Sequence, residues 1–204
     1  MLDRLAPLPR SFYARPVLTV ARDAIGKIVV HASEEGIAAG RIVEAEAYRG
    51  PEDRAAHSAG GRRTRRTEAM WGAPGHAYLF LLYGMHWAFN LVTTAEGEPH
   101  AVLIRAIEPL PPLDLMCARR GLAANRRELT NGPGKVCAAL GLDGRHYGMD
   151  LCTPRLFLAS DGGTRRPRIG RSPRINVDYA GAWARRPWRF YERENRYVSV
   201  KPRD

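Results

Sequence analysis

The stretch "HAYLFLLYGMHWAFNLVTT", residues 76–94, restricts the fold more than any other part of the chain. Two strand-forming runs meet around Tyr83, Gly84 and Met85. Apolar runs of this length broken by a glycine-containing turn read as an antiparallel hairpin. After the acidic turn "EGEPH" a third strand follows, "AVLIRAIEPL", 101–110.

The rest of the chain alternates shorter signals. "RPVLTVARDAIGKIVV" predicts a helix with an apolar stripe at Val17, Val20, Ala21, Ala24 and Ile25, broken near Gly26 and followed by a strand from Ile28 to His31. A turn at "EEGIAAG" then leads into a strand over 41–48, which makes an early hairpin. Residues 49–75 form a long connection rich in glycine, proline and arginine, with two short helical turns. So long a connection inside a compact domain is usually functional.

"PPLDLMCARRGLAANR" predicts a helix running into polar loop, and "LTNGPGKVCAALGL" a second helix that starts at Pro133 and stops at Gly141. Short strands are expected at 155–159, 173–177 and 196–200, with Asp178 capping a short helix through "GAWARR". No internal repeat or linker is visible. The expected architecture is α+β: a single domain over 1–204, a curved and mainly antiparallel sheet with flanking helices and a protruding hairpin.

Charge narrows the partner. Against 21 acidic residues stand 32 basic ones, a formal +11 that favours a polyanion, most simply nucleic acid. Lysine occurs only at 27, 135 and 201, so the excess is arginine, which contacts phosphate in bidentate fashion and stacks on bases. Cys117, Cys137 and Cys152 have no CxxC spacing and read as reduced and structural. The charged, proline-containing start has no unbroken apolar run, and no later window has the length of a membrane span, so the expected location is the cytoplasm.

In "RIVEAEAYRGPEDRAAHSAGG", 41–61, strand periodicity puts Glu44, Glu46 and Tyr48 on one face and Val43, Ala45 and Ala47 on the other. Carboxylates two positions apart lie about 6–7 Å from each other along a strand, a spacing compatible with a paired-carboxylate glycosidase. A solvated strand face is the ordinary alternative. Beyond Tyr48 come His57 and "GGRRTRR", so an acid, aromatic rings and a basic run share one short region, as in a site for a polyanion.

Five segments in order, "EAEAYRGPEDRAAHSAGGRRT", "LFLLYGMHWAFN", "VLIRAIEPL", "GPGKVCAAL" and "AGAWARRPWRFY", together resemble the alkyladenine (3-methyladenine) DNA glycosylase family. The resemblance runs from about residue 10 to about residue 200. It implies an enzyme that flips a damaged purine, alkylated or deaminated, out of duplex DNA and hydrolyses its N-glycosidic bond with one carboxylate. It implies no metal and no cofactor, a monomer, double-stranded DNA as partner and no membrane. Glu46 aligns with the glutamate that activates water. Arg105 matches an arginine that helps place the water and that glutamate, and Val177 lies where a backbone carbonyl meets the same water.

Tyr48, His57 and Phe80 match the rings that sandwich the flipped base, and Asn90 the residue that crowds the amino group of guanine. Tyr83 matches the residue inserted into the duplex, flanked by Met85 and His86. Arg62, Arg63, Thr64 and Lys135 are the expected phosphate contacts. The chain departs from the family at Phe80 and His86, where tyrosine is common. Two rivals stay open: a lesion binder that does not cut, and a carbohydrate glycosidase using Glu44 with Glu46. A monofunctional glycosylase is expected over one with lyase activity, which needs an amine nucleophile, because none of the three lysines lies in the expected pocket.

Overall fold

The strand that carries both glutamates is the spine of the molecule. The computed structural model describes residues 2–162 and 166–201. Its strands are β1 (Ile28–Ser33), β2 (Gly36–Arg49), β3 (Ala77–Leu82), β4 (His86–Thr93), β5 (His100–Leu110), β6 (Leu156–Ala159), β7 (Ile169–Ser172) and β8 (Arg189–Glu192). The α-helices are α1 (Arg10–Tyr13), α2 (Val17–Ala24), α3 (Asp114–Arg120) and α4 (Pro133–Leu140). One antiparallel sheet runs β3-β4-β5-β2-β1-β6, with β8 also paired to β2 and β7 to β8.

β2 keeps β5 along one edge for most of its length. On the other it pairs first with β1 and then, from Glu44 to Glu46, with β8. The changeover coincides with a register irregularity between Ile42 and Ala45. Ile42, Ala45 and Ala47 all belong to the main core, so strict alternation fails there, as at a β-bulge. Val43 leaves the face expected of it and packs with Ala106, Tyr191, Tyr197 and Val198.

Period two holds on the neighbouring strands and divides the sheet into two faces. Leu79, Phe89, Leu91, Val102 and Ile104 join the buried stripe of α2 and the apolar side of α4 in the main core. Tyr78, Phe80, Ala88, Val92, Ala101 and Leu103 form a second cluster on the opposite face with Met70. Among the described residues no α-helix contributes to that cluster, and only the start of α4 approaches the same face. The face is covered by the 49–75 connection, whose two short 3-10 turns are Ala59–Gly61 and Glu68–Trp71.

The other expected helices and strands form close to their signals. Pro133 opens α4 and Gly141, at φ 73°, closes it in the left-handed region where glycine is unstrained. Four details differ from the expectation. "IAAG" is already strand, because the β1–β2 turn is confined to Glu34 and Glu35. The helical turn after Val177 is a 3-10 segment, Asp178–Trp183, with no side-chain cap from Asp178.

The late strands lie at 169–172 and 189–192 instead of 173–177 and 196–200. Residues 173–177 leave the sheet because Arg174 is drawn to Asp53, Ile175 to Glu46, and Asn176 adopts φ 58°. Residues 197 and 198 instead lay their side chains on the Val43 cluster, while the Ser199 amide bonds Glu44.

Candidate active site

A cavity of about 250 Å³ opens on the sheet face that carries Tyr78 and Phe80, with Pro133 at the start of α4 among its lining residues. Tyr48 enters from β2, Phe80 and Tyr78 from β3, Asn90 from β4 and Arg105 from β5. The 49–75 connection adds His57, and the loop after β7 adds Ile175, Asn176 and Val177. Its volume lies just under the usual range for drug-sized ligands, which suits a planar base.

His57 and Phe80 make one aromatic wall, their rings edge to face at 4.4 Å. His57 Nδ1 lies 2.7 Å from the Tyr78 hydroxyl. Burial, then the Arg66 and Arg62 charges, lower its pKa from 6.5 to about 4, so the ring is neutral near pH 7. The Arg174 guanidinium lies 4.7 Å from the centre of the Tyr48 ring. Asn90 donates its amide to the Tyr78 carbonyl at 3.1 Å, which fixes that side chain in the cavity wall.

Glu46 is fully buried and does not itself line the cavity; the three groups that bond it do. Its Oε2 accepts from the Tyr48 hydroxyl at 2.8 Å and from Arg105 at 3.4 Å, and its Oε1 from the Ile175 amide at 2.8 Å. Three donors are what a charged carboxylate needs in a protein interior. Burial and the Glu46 charge push the Tyr48 hydroxyl well above the ordinary tyrosine range, so it remains a donor. Burial works against the charge on Arg105, but Glu46 and Glu44 outweigh it and hold its pKa above the usual value. The Val177 carbonyl accepts from the Ala180 amide at 2.9 Å and keeps a second lone pair.

Glu44 lies deeper and meets no part of the cavity. Arg105, Arg189 and the backbone and hydroxyl of Ser199 surround it. This leaves the two glutamates in different environments. Glu46 is adjacent to a cavity and Glu44 to a closed charge cluster.

Tyr83, 80% exposed, and Met85, 72% exposed, project from the hairpin tip, and His86 is exposed beside them. The turn holds Tyr83 at φ 51° and Gly84 at φ 71°, closed by the Met85 amide donating to the Leu82 carbonyl at 3.0 Å. Two successive positive φ values match the right-handed twist of a hairpin. Lys135, near the start of α4, donates to Asn131 at 2.8 Å, one residue from Gly134, which lies against His86.

A second, polar cavity adjoins the first and shares Ala55, His57 and Tyr179 with it. It is lined by Arg54, Arg62, Arg66, Thr64 and Thr67. Arg63, expected to act with its neighbours, lines neither cavity. Its guanidinium makes two bonds to Glu68, at 2.6 and 3.0 Å, and lies over Trp71.

Residues 11–196 match the profile of the methylpurine-DNA glycosylase family. The chain belongs to that family. Relatives in Desulfitobacterium hafniense, Methanocella arvoryzae and Bacillus cereus are 48%, 46% and 44% identical to it. The matches cover 95% of this chain in each case, and 98%, 96% and 98% of the relatives. All three bear the name "Putative 3-methyladenine DNA glycosylase". The enzyme class read from the motifs, a DNA glycosylase, therefore stands.

Several site residues of this glycosylase fold carried no usable sequence signal. Asp53 and Arg174, which pair inside the wall, are 121 positions apart. Ile175 contributes only its backbone, and Tyr179, 74% exposed at the mouth of both cavities, follows the segment expected to be a strand. Arg66 was visible within "RRTRR", but nothing in that run separates it from Arg63.

Proposed function

We propose that this chain flips an alkylated or deaminated purine from duplex DNA into the cavity and hydrolyses its N-glycosidic bond with a water activated by Glu46. The observation that carries this reading is one carboxylate held by three residues of an aromatic cavity wall, beside an exposed tyrosine on a hairpin tip. Water reaches Glu46 from the cavity side, past Arg105 and the 175–177 loop. Glu46 takes a proton from it, the oxygen bonds to C1′, and the C1′–N bond breaks with its electron pair going to the purine. A purine methylated at N3 or N7 carries positive charge before it leaves, so that pair neutralises it and one carboxylate suffices; a neutral purine such as hypoxanthine leaves as the anion, and the proton that Glu46 took reaches it through solvent.

The rings hold such a base by dispersion and cation–π attraction, and a neutral His57 adds no repulsion. The fixed Asn90 amide narrows the wall against the extra amino group of guanine. Tyr83 fills the gap left in the duplex, with Met85 and His86 beside it, and offsets part of the unstacking cost of a few kcal/mol. The backbone phosphates flanking the flipped nucleotide enter the second cavity between Arg62, Thr64 and Arg66, while Lys135 meets the strand near the hairpin. On this reading duplex DNA is the partner and one chain carries the whole site.

The test is base release from duplexes carrying 3-methyladenine, hypoxanthine or 1,N6-ethenoadenine, followed by a search for strand breaks without added base. Release with intact abasic sites is the expected outcome. Tight duplex binding with no release from any of them makes the protein a lesion binder. Spontaneous strand scission refutes the hydrolytic mechanism.

A further inference from the structure

Glu44 is as buried as Glu46, and of the groups that bond it only Arg105 lines the cavity. Its Oε1 accepts from Arg105 Nε at 3.0 Å, Arg189 Nε at 2.7 Å and the Ser199 hydroxyl at 2.9 Å, and its Oε2 from the Ser199 amide at 2.6 Å. Arg189 is anchored in turn to the Ser172 hydroxyl at 3.0 Å and to the Val200 carbonyl. The cluster sits where β2 exchanges β1 for β8 and where the β2–β5 register breaks, next to Arg105.

Two carboxylates and two guanidiniums share this interior, so their formal charges cancel. Arg105 stands between the carboxylates, 3.0 Å from Glu44 and 3.4 Å from Glu46. The tighter bond is the one away from the cavity. We propose that Glu44 is a positioning residue for excision: with Arg189 and Ser199 as fixed points, it anchors Arg105 so that the guanidinium orients Glu46 without neutralising it as a base. This rests on the reading of Glu46 given above.

The groups that face Glu46 are Tyr48 from its own strand, Arg105 from β5, and the Ile175 amide with the Arg174–Asp53 pair from the 173–177 loop. From β8 and the segment after it come Arg189 and Ser199, both acting through Glu44. Removing the charge of Glu44 leaves the cluster one positive charge in excess. That holds Glu46 deprotonated to lower pH and weakens it as a base. Removing the charge of Arg189 leaves a negative excess and does the reverse. Charge removal by itself moves the acidic limb in these directions; loss of Arg105 placement shows besides as a lower rate on the pH plateau with duplex Kd retained, which a merely structural role in a folded variant does not produce.

The experiment is single-turnover base release from a methylated-purine duplex, across pH, for the wild type and for Glu44→Gln, Arg189→Gln, their double variant and Glu46→Gln. The expected result is a fall of about 10–100-fold at neutral pH in Glu44→Gln with duplex Kd changed less than about twofold. Its acidic limb moves to lower pH, that of Arg189→Gln moves to higher pH, and that of the double variant lies between them. If Glu44→Gln does not fold, a plateau rate lowered at unchanged duplex Kd in Arg189→Gln, which frees Glu44 on one side, decides the matter. A wild-type plateau rate, or equal or absent shifts, in folded variants overturns the proposal while Glu46→Gln stays inactive. Release by Glu46→Gln instead removes the reading on which it rests.

Discussion

Asp53→Asn is the perturbation whose effect follows most directly from the packing. Both side chains of the Asp53–Arg174 pair are fully buried. Both terminal nitrogens of Arg174 bond the carboxylate, NH2 to Oδ1 at 2.9 Å. Breaking a buried pair by removing one charge costs about 3–5 kcal/mol, because the other charge stays behind without compensation. Arg174 keeps the Ala47 carbonyl at 2.9 Å and the Trp183 carbonyl at 3.3 Å, and lies over the rings of Tyr48 and Trp188.

Asparagine keeps only one acceptor oxygen, and its amide nitrogen then faces an Arg174 nitrogen and either the Arg49 or the Ala55 amide, donor against donor. The retained carbonyl and ring contacts offset part of that clash, so the middle of the range, about 4 kcal/mol, applies, and in a chain of this size it lowers Tm by about 8–16 °C. The same substitution loosens the loop whose Ile175 amide bonds Glu46, so kcat falls more than KM rises at a temperature where the variant is folded. Thermal melts and base-release kinetics on the purified variant measure both. A Tm within about 2 °C of wild type, or full kcat, refutes the idea that this pair holds the catalytic wall.

Tyr83→Gly relieves a left-handed backbone worth about 1–2 kcal/mol but adds a similar unfolded-state entropy cost. Melts should show little change, whereas duplex affinity and release both fall; preserved affinity removes Tyr83 as the wedge. Because the folded pKa of His57 lies near 4 and its ordinary value is 6.5, the unfolded chain takes the proton first on acidification. Stability is therefore lost as pH falls from about 6.5 to about 4, by at most about 3 kcal/mol. Urea unfolding at pH 7 and 4.5 should show His57→Gln losing less than the wild type, and equal losses contradict the shift. Arg66→Ala should weaken duplex binding and reduce the salt slope by about one, while Arg63→Ala, already paired with Glu68, should leave the slope unchanged.

Most of the sheet was legible because each strand keeps its own periodicity. The alternation of "AYLFLL" put Phe80 opposite Leu79, although it could not say which face the helices would cover. Val43 was misread because a bulge reverses parity, and parity is all that one strand's sequence offers. The strand expected at 173–177 fails for a different reason: Arg174 and Ile175 are claimed by Asp53 and Glu46, far away in sequence, and those bonds outweigh a weak local preference. The choice between Glu44 and Glu46 came from the family motif alone. In the structure neither carboxylate lines the cavity, and the difference is that Tyr48, Arg105 and Ile175, which bond Glu46, do, whereas of the groups on Glu44 only Arg105 does.

Single-turnover release of a methylated purine by wild type and Glu46→Gln, with duplex affinity measured in parallel, tests the central proposal most directly. The expected result is loss of release by at least about 100-fold with affinity retained, the loss of a general base. Release within a few-fold of wild type by a folded Glu46→Gln protein contradicts the assignment of Glu46 and the mechanism built on it.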